Sequence, residues 1–243
     1  MVLEVEYDYN QRSQEQHPDG ICLRWYNDCK EINLWTYWQG RNHYKAKIML
    51  VGQDWGSPWT ESASSTIEQI KLANDGLQYD YLYNSSSPTD KNLIELFREL
   101  DRDYDITHTC EDLFFTNFVL GYREHGFSGG YKKEWANQDM RYFVELTEIL
   151  EPTIILCLGR STFEAVLKAL HVKLDVRIGN YNRFIESKRN PVTITLNGSR
   201  NVHIFALAHC GTLGTFNRNR GKGRLKDPLE IQKTDWKRII PYL

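Results

Sequence analysis

The chain has 243 residues, and its 30 lysines and arginines nearly balance its 32 aspartates and glutamates, which leaves a formal net charge of -2. This length is ample for one α/β domain with a buried core, so we expect a single domain over residues 1–243. The charge balance neither favours nor excludes a nucleic-acid partner, but any basic contact surface must be local.

The start of the chain lacks a basic segment followed by an apolar run, and no stretch approaches the roughly 18 apolar residues of a membrane-spanning helix. We therefore expect a soluble, cytoplasmic protein. The five cysteines are odd in number and irregularly spaced, which argues against a disulfide framework. Cys22 and Cys29 are too far apart for a zinc or iron–sulfur knuckle, and Cys157 lies in an apolar run.

Four short apolar runs with turn or polar residues at their ends predict β-strands. They are Lys45 to Val51, Leu113 to Val119, Thr153 to Leu158 and Val202 to Ala208. Ile48 to Val51 and Ile154 to Leu158 are apolar throughout, which is typical of strands covered on both faces. The sequence therefore predicts an α/β fold with three α/β/α layers around a central, mainly parallel four-stranded sheet.

Helical spacing of apolar residues between these runs predicts the crossover helices of such a sheet. The predicted helices are Asp90 to Leu100, Tyr131 to Leu150 and Ser161 to Leu170, with a further one from Cys22 to Trp38 before the first strand. Two segments, Asn74 to Pro88 and Gly211 to Asp227, fit neither pattern and are predicted to be long loops.

Ligands of open α/β sheets bind outside the carboxyl ends of the strands, so the residues after each strand are the candidates for chemistry. Asp54, Arg160 and His209 follow three of the predicted strands, and Asn117 lies near the end of the fourth. Each also has a structural interpretation. The carboxylate is a possible helix cap, the amide a loop anchor and the imidazole a satisfied core group, while the arginine either tops a helix or meets a phosphate.

A glycine-rich, basic segment follows His209 directly. Leu213 and Phe216 precede five cations, which are Arg218, Arg220, Lys222, Arg224 and Lys226. Such a segment can hold a DNA backbone through charge and counterion release, and an apolar side chain can wedge into the base stack. The alternative is a solvated loop.

Three blocks in this order resemble the motifs of the uracil-DNA glycosylase superfamily, over about residues 45–220. The run Ile48 to Gly56, with Gly52-Gln53-Asp54-Trp55-Gly56 after its strand, is similar to the family's G-Q-D-P-Y or G-E-A-P-G motif. Phe115 to Val119 resembles the strand whose asparagine reads the base, and Leu150 to Arg160 resembles the later L-x-P, apolar strand and L-G segment. Ala208-His209-Cys210-Gly211 stands where the family has H-P-S.

The resemblance implies a uracil-DNA glycosylase-like domain that hydrolyses the N-glycosidic bond of uracil or a related deaminated base in DNA, in base excision repair. Asp54 would activate water and His209 would stabilise the departing base. The base-binding residues would be Gln53, Asn117, Tyr83 and Trp55, with Trp59 as a further candidate for stacking. The DNA-binding residues would be Gly56, Arg160, Leu213, Phe216, Arg218 and Arg220. No cofactor, metal or iron–sulfur cluster is expected.

The blocks depart from the family pattern at four positions, where Trp55, Gly56, Cys210 and Gly211 replace proline, tyrosine, proline and serine. Exclusion of thymine is therefore not implied, because that tyrosine blocks its methyl group in one branch. Two other functions stay open. One is a non-catalytic nucleic-acid-binding protein with the same fold. The other is a nucleotide-acting α/β hydrolase, which is disfavoured because no G-x-G-x-x-G or G-x-x-x-x-G-K-[ST] loop follows a predicted strand.

Overall fold

The computed structural model describes residues 38–39, 45–54, 87–101, 104–107, 112–119, 133–175, 177–223 and 225–243. The predicted helix from Cys22 to Trp38 lies outside these ranges except for Trp38, which belongs to a strand rather than to a helix. No helix among the described residues is long and apolar enough to cross a membrane.

The described elements alternate between strands and helices along the chain. The strands are β1 Trp38–Gln39, β2 Ile48–Gly52, β3 Leu113–Asn117, β4 Ile154–Leu158, β5 Val192–Leu196 and β6 Arg200–Leu207. The helices are α1 Pro88–Arg98, α2 Lys133–Leu150, α3 Arg160–Ala169, α4 Tyr181–Glu186, α5 Thr212–Asn219 and α6 Glu230–Lys237, and a 3-10 turn, Ile240–Tyr242, follows them.

The strands form one sheet in the order β1-β3-β2-β4-β6-β5. The four inner strands are the four that the sequence predicts, and all three pairings among them are parallel. The prediction of a mainly parallel sheet is therefore confirmed. The predicted count of four strands is wrong, because an antiparallel strand closes each edge: β1 beside β3 and β5 beside β6.

Apolar side chains alternate between two cores, one on each face of the sheet. Met49 and Val51 of β2 pack in a core with residues of α2, α3 and α4. Ile48 and Leu50 pack in the other core, with residues of α1 and α6. Since both faces are covered, every residue of β2 is buried, which explains its continuously apolar sequence. The described part of the chain thus has the predicted three α/β/α layers.

Helix α5 lies in the segment Gly211 to Asp227 that the sequence predicts to be a loop, so that prediction is wrong over Thr212–Asn219. The sequence of α5 has a low helix propensity because Gly214 lies within the helix, and packing against α6 offsets this. The hydroxyl of Thr215 accepts a buried hydrogen bond of 2.8 Å from the Gln232 side chain.

Phe97 joins three elements in the core that contains α1. Its ring centroid lies 5.1 Å from that of Phe115 in β3 and 5.0 Å from that of Trp236 in α6. Phe97 is 0% exposed, so truncation removes both aromatic contacts and leaves a cavity.

We expect Phe97→Ala to lower the free energy of unfolding by about 3–5 kcal/mol, because large buried aromatic side chains cost this much on truncation. Urea denaturation followed by circular dichroism measures it. The matched control is Phe216→Ala, whose side chain is 65% exposed, and it should change the value by less than about 0.5 kcal/mol. Equal effects of the two substitutions would contradict the packing described here.

Candidate active site

The register of the inner strands brings the predicted site residues to one edge of the sheet. Gly52 pairs with Asn117, and Leu158 pairs with Leu207. Because Val51 pairs with Cys157, Gly52 stands at the level of Leu158 as well. Asp54 lies two residues after Gly52, and His209 lies two residues after Leu207.

The chain turns in opposite directions after the two central strands, which makes the gap between their carboxyl ends the switch point of the sheet. From β2 the chain passes to β3 through α1 on one face. From β4 it passes toward β6 through α3 on the other face. Open α/β sheets bind ligands at this position, and here Asp54 and Gly159 flank it.

Asn117 lies directly over the backbone of Gly52. A Cβ at residue 52 would collide with the Asn117 Oδ1 atom, so a glycine is required there for the amide to keep its position. Asn117 is only 8% exposed. Its parity in β3 places it on the same face as Leu113 and Phe115, which is the face covered by α1.

The loop after β2 is tied to β3 by its backbone. The Phe118 N–H donates to the Gly52 carbonyl at 3.0 Å, and the Val119 N–H donates to the Gln53 carbonyl at 3.0 Å. These bonds extend the strand pairing beyond the ends of β2 and β3. Gln53 and Asp54 therefore leave the sheet at a defined position, and both side chains are partly buried.

His209 is held as one tautomer by the backbone that follows it. The Gly211 N–H donates to Nδ1 of His209 at 3.0 Å, so Nδ1 is an acceptor and the ring proton of the neutral form resides on Nε2. Burial lowers the pKa of His209 below its usual 6.5. The side chain is therefore a neutral imidazole at neutral pH, with Nε2–H as its hydrogen-bond donor.

The backbone of His209 and Cys210 is enclosed by two helices. The Asn92 side chain of α1 donates to the Cys210 carbonyl at 2.6 Å, and Thr215 of α5 donates to the same oxygen at 3.4 Å. A Cβ at Gly214 would lie 2.7 Å from the His209 Cβ, so α5 can pack here only with glycine at this position. On the β4 side, a Cβ at Gly159 would lie 3.9 Å from the His209 Cβ.

Asn92 is not among the site residues predicted from the sequence, although it donates a hydrogen bond to the loop that carries His209. The predicted topology could have indicated Asn92, because a crossover helix between parallel strands runs antiparallel to them and must begin at their carboxyl ends. Helix α1 begins at Pro88, so its first turns reach the loop that carries His209. The positive end of its dipole points toward this edge of the sheet and favours negative charge there.

Cys210 stands next to His209 in sequence but does not form a cysteine–histidine nucleophile. Its side chain is fully buried. Burial, followed by the nearby charge of Asp90, raises the pKa of the thiol well above its usual value. Burial and a raised pKa leave little thiolate near neutral pH, which disfavours Cys210 as a nucleophile.

Arg160 lies at the start of α3, and its guanidinium is engaged with its surroundings. It donates to Glu164 at 2.8 Å and to the carbonyls of Ile178 and Gly179 at 2.8 and 3.2 Å. These contacts favour a structural role for Arg160 at the start of α3 over a contact with a phosphate.

The prediction that Arg218 contacts DNA is corrected by its burial. Arg218 is 1% exposed and forms two hydrogen bonds with the Asp235 carboxylate, at 2.7 and 2.8 Å, and a third with Glu186 at 2.9 Å. Because these carboxylates occupy the guanidinium, Arg218 joins α5 to α6 and α4 instead of facing a ligand. Its neighbour Arg220 is exposed.

Two apolar side chains on α5 face solvent beside the loop that carries His209. Leu213 is 52% exposed and Phe216 is 65% exposed. They are three residues apart in the helix and so lie on one face of it. Their exposure agrees with a wedge into stacked bases, a role that remains a prediction.

Several predicted residues lie outside the described part of the chain. These are Trp55, Gly56, Trp59 and Tyr83, together with Arg224 of the basic segment. Their roles in base stacking and DNA contact stay predictions.

Comparisons with known proteins leave the family open. No protein-family model matches the chain, and no curated protein matches it. Within the described ranges, no group of three or more histidine, cysteine, aspartate or glutamate side chains is arranged to hold a metal ion.

We expect Arg218→Met to lower the free energy of unfolding by about 3–5 kcal/mol, because it leaves the buried Asp235 carboxylate without its partner. Urea denaturation at neutral pH measures the loss. The matched control is Arg220→Met, two residues away and exposed, which should change the value by less than about 0.5 kcal/mol. A stable Arg218→Met protein would show that the ion pair is not the link between α5 and α6.

Titration of His209 should give a pKa below 6.5, because burial disfavours the imidazolium. The unfolded chain then binds more protons between the two pKa values, so this group's contribution to stability is complete above about pH 6.5 and decreases as the pH falls toward the folded pKa. Histidine nitrogen shifts in NMR spectra measure both the pKa and the tautomer. A spectrum with the proton on Nδ1 at neutral pH would contradict the assigned hydrogen bond.

Proposed function

We propose that this protein is a DNA glycosylase of the uracil-DNA glycosylase kind, with a uracil-DNA glycosylase-like fold. It would hydrolyse the N-glycosidic bond of uracil or a related deaminated base as part of base excision repair. The observation that carries the proposal is the hydrogen bond from the Gly211 N–H to Nδ1 of His209, at the sheet edge that also bears Asp54 and Asn117.

Cleavage of an N-glycosidic bond separates charge, and the site has a suitable group for each end. Positive charge develops on the sugar and negative charge on the departing base. A carboxylate near the sugar and a hydrogen-bond donor near the base therefore stabilise the same transition state. Asp54 is the carboxylate and His209 is the donor.

His209 acts through Nε2–H, which its tautomer leaves available as a donor. A neutral imidazole in a partly buried position stabilises an oxyanion of the base without carrying a charge that burial would penalise. Its orientation is preset by Gly211, and its backbone is enclosed by α1 and α5. Preorganisation of this kind avoids the cost of orienting the donor during the reaction.

Asp54 follows β2 and His209 follows β6, with β4 between these strands. Two interstrand spacings separate the strands by about 10 Å, which leaves room for a nucleoside between the two groups. In this arrangement Asp54 orients a water molecule toward the anomeric carbon. Such assistance by one positioned group contributes roughly 10²–10⁴-fold in rate.

Asn117 supports recognition of the base. Its amide offers both a donor and an acceptor, which match the edge of a uracil that has been rotated out of the helix. The close contact with Gly52 limits its movement. Gln53 follows on the neighbouring strand, and its partly buried side chain lies at the same edge.

Helix α5 supports DNA over a free nucleotide as the ligand. Leu213 and Phe216 are exposed apolar side chains directly after the site. Extrusion of a base costs a few kcal/mol, and an apolar side chain that fills the vacated space offsets part of it. A free nucleotide has no stack of bases into which these side chains could insert.

We expect Asp54→Asn and His209→Asn each to slow base release from a uracil-containing oligonucleotide by about 100-fold or more. The first removes the negative charge, and the second replaces the imidazole with a shorter amide that lacks the Nε2 donor. Single-turnover release, read by alkaline cleavage at the abasic site, measures both rates.

The matched controls are Asp175→Asn and His171→Asn, at exposed positions in the segment after α3. Both should release the base at the wild-type rate. If both site variants also do so, the assigned roles are wrong. If the wild-type protein binds DNA and releases no base, the non-catalytic alternative is correct.

A further inference from the structure

A shallow groove beside α4 is lined by four basic side chains. Arg177, Arg183, Lys188 and Arg189 surround it, and Ile178 and Phe184 are among its other lining residues. All four cations are exposed, whereas Ile178 and Phe184 are 6% and 8% exposed. No aspartate or glutamate among the residues that the structure describes lines the groove. This local concentration of positive charge contrasts with the net charge of -2 of the whole chain.

The charge of the groove is not neutralised by the described part of the chain. None of its four cations forms an ion pair with a described residue, although eleven such pairs occur among the described side chains. Glu186 is the nearest carboxylate along α4, but it bonds to Arg218 and Lys222, both at 2.9 Å. As far as the described residues show, the groove therefore presents exposed cations without ion-pair partners.

The groove adjoins the candidate active site through three contacts. Arg160, which directly follows Gly159 at the end of β4, donates to the carbonyls of Ile178 and Gly179. Tyr181 of α4 donates to the carbonyl of Leu207, the last residue of β6, at 3.0 Å. Asn182 donates to the carbonyl of Asn217 in α5 at 3.0 Å. Helix α4, which contributes Arg183 and Phe184 to the groove, is thus in contact with the end of β6 and with α5.

We propose that this groove binds the sugar–phosphate backbone of DNA that flanks the everted base. The inference rests on the proposed function, because the carboxyl edge of the sheet is taken as the place where DNA binds. Phosphates would lie along the four cations, and each cation would release condensed counterions from the DNA on binding. The groove contributes affinity and leaves base selection to the site at the sheet edge.

The groove supplies the local basic surface that a protein with nearly balanced charge needs for DNA binding. Three of its four cations are arginines, whose planar guanidinium groups match phosphate oxygens in a bidentate geometry. The basic segment after His209 provides less than its sequence indicates, since Arg218 is buried and Lys222 is paired with Glu186. The groove is therefore the larger cluster of unpaired cations near the site in the described part of the chain.

The test uses the double variant Arg183→Gln/Arg189→Gln in the full-length chain. The probe is a fluorescently labelled DNA duplex without a damaged base, so that cleavage cannot interfere, and fluorescence anisotropy is recorded over a range of salt concentrations. We expect binding to weaken by about threefold to tenfold, and the salt dependence of log K to become shallower by about 0.9 for each phosphate that the variant no longer neutralises. A second variant, Arg177→Gln/Lys188→Gln, should behave in the same way.

The matched control is Lys45→Gln/Lys173→Gln, which also removes two exposed positive charges, neither of which lines the groove. It should leave both the affinity and the salt dependence at their wild-type values. Arg183→Lys/Arg189→Lys should retain most of the binding, because the charge is kept.

Wild-type binding by both groove variants would overturn the proposal, as would equal weakening by the control. The outcome is distinguishable from failure of the proposed function. Base release without a groove effect on binding rejects only the groove, and a groove effect without base release from any damaged substrate rejects only the glycosylase.

Discussion

Burial of the inner strands on both faces is the constraint that determines where this protein can place accessible polar side chains. Each face of the sheet is occupied by a core, so a polar side chain within β2 or β4 would lose its hydration without a partner. Around these two strands, polar side chains therefore occur only beyond the strand ends. Because the inner strands are parallel and in register, their carboxyl ends meet at one level, where Asn117 ends β3 and Asp54 and His209 follow β2 and β6.

The orientation of His209 depends on both the sheet and the helices that pack against it. Strand β6 brings the residue to the edge, the Gly211 N–H fixes its tautomer, and α1 and α5 enclose its backbone. Helix α5 is in turn held by the buried pair of Arg218 and Asp235. Arg218, which the sequence predicts to contact DNA, thus links α5 to α6, and the same helix presents Leu213 and Phe216 to solvent. Helix α5 thus both packs against His209 and carries the exposed apolar pair.

Hydrophobic patterning was sufficient to predict the inner sheet and the crossover helices, because burial on both faces leaves a strong signal in the residues themselves. The hairpin of β5 and β6 was missed, although Val192–Leu196 alternates apolar and polar residues and Asn197-Gly198 is a typical hairpin turn. Helix α5 was not predictable from local propensity, since its partners Gln232 and Asp235 follow much later in the chain. For the same reason the sequence could indicate that Arg218 is basic but not that it is buried.

We propose that Asp54 and His209 act together on one everted base at the carboxyl edge of the sheet. The most direct measurement is single-turnover incubation of the wild-type protein with oligonucleotides that carry uracil, hypoxanthine or xanthine, followed by chromatography of the free bases. We expect release of at least one of these bases in stoichiometric amount, with an abasic site left in the strand. Intact strands with every substrate, under conditions in which the protein binds the DNA, would contradict it.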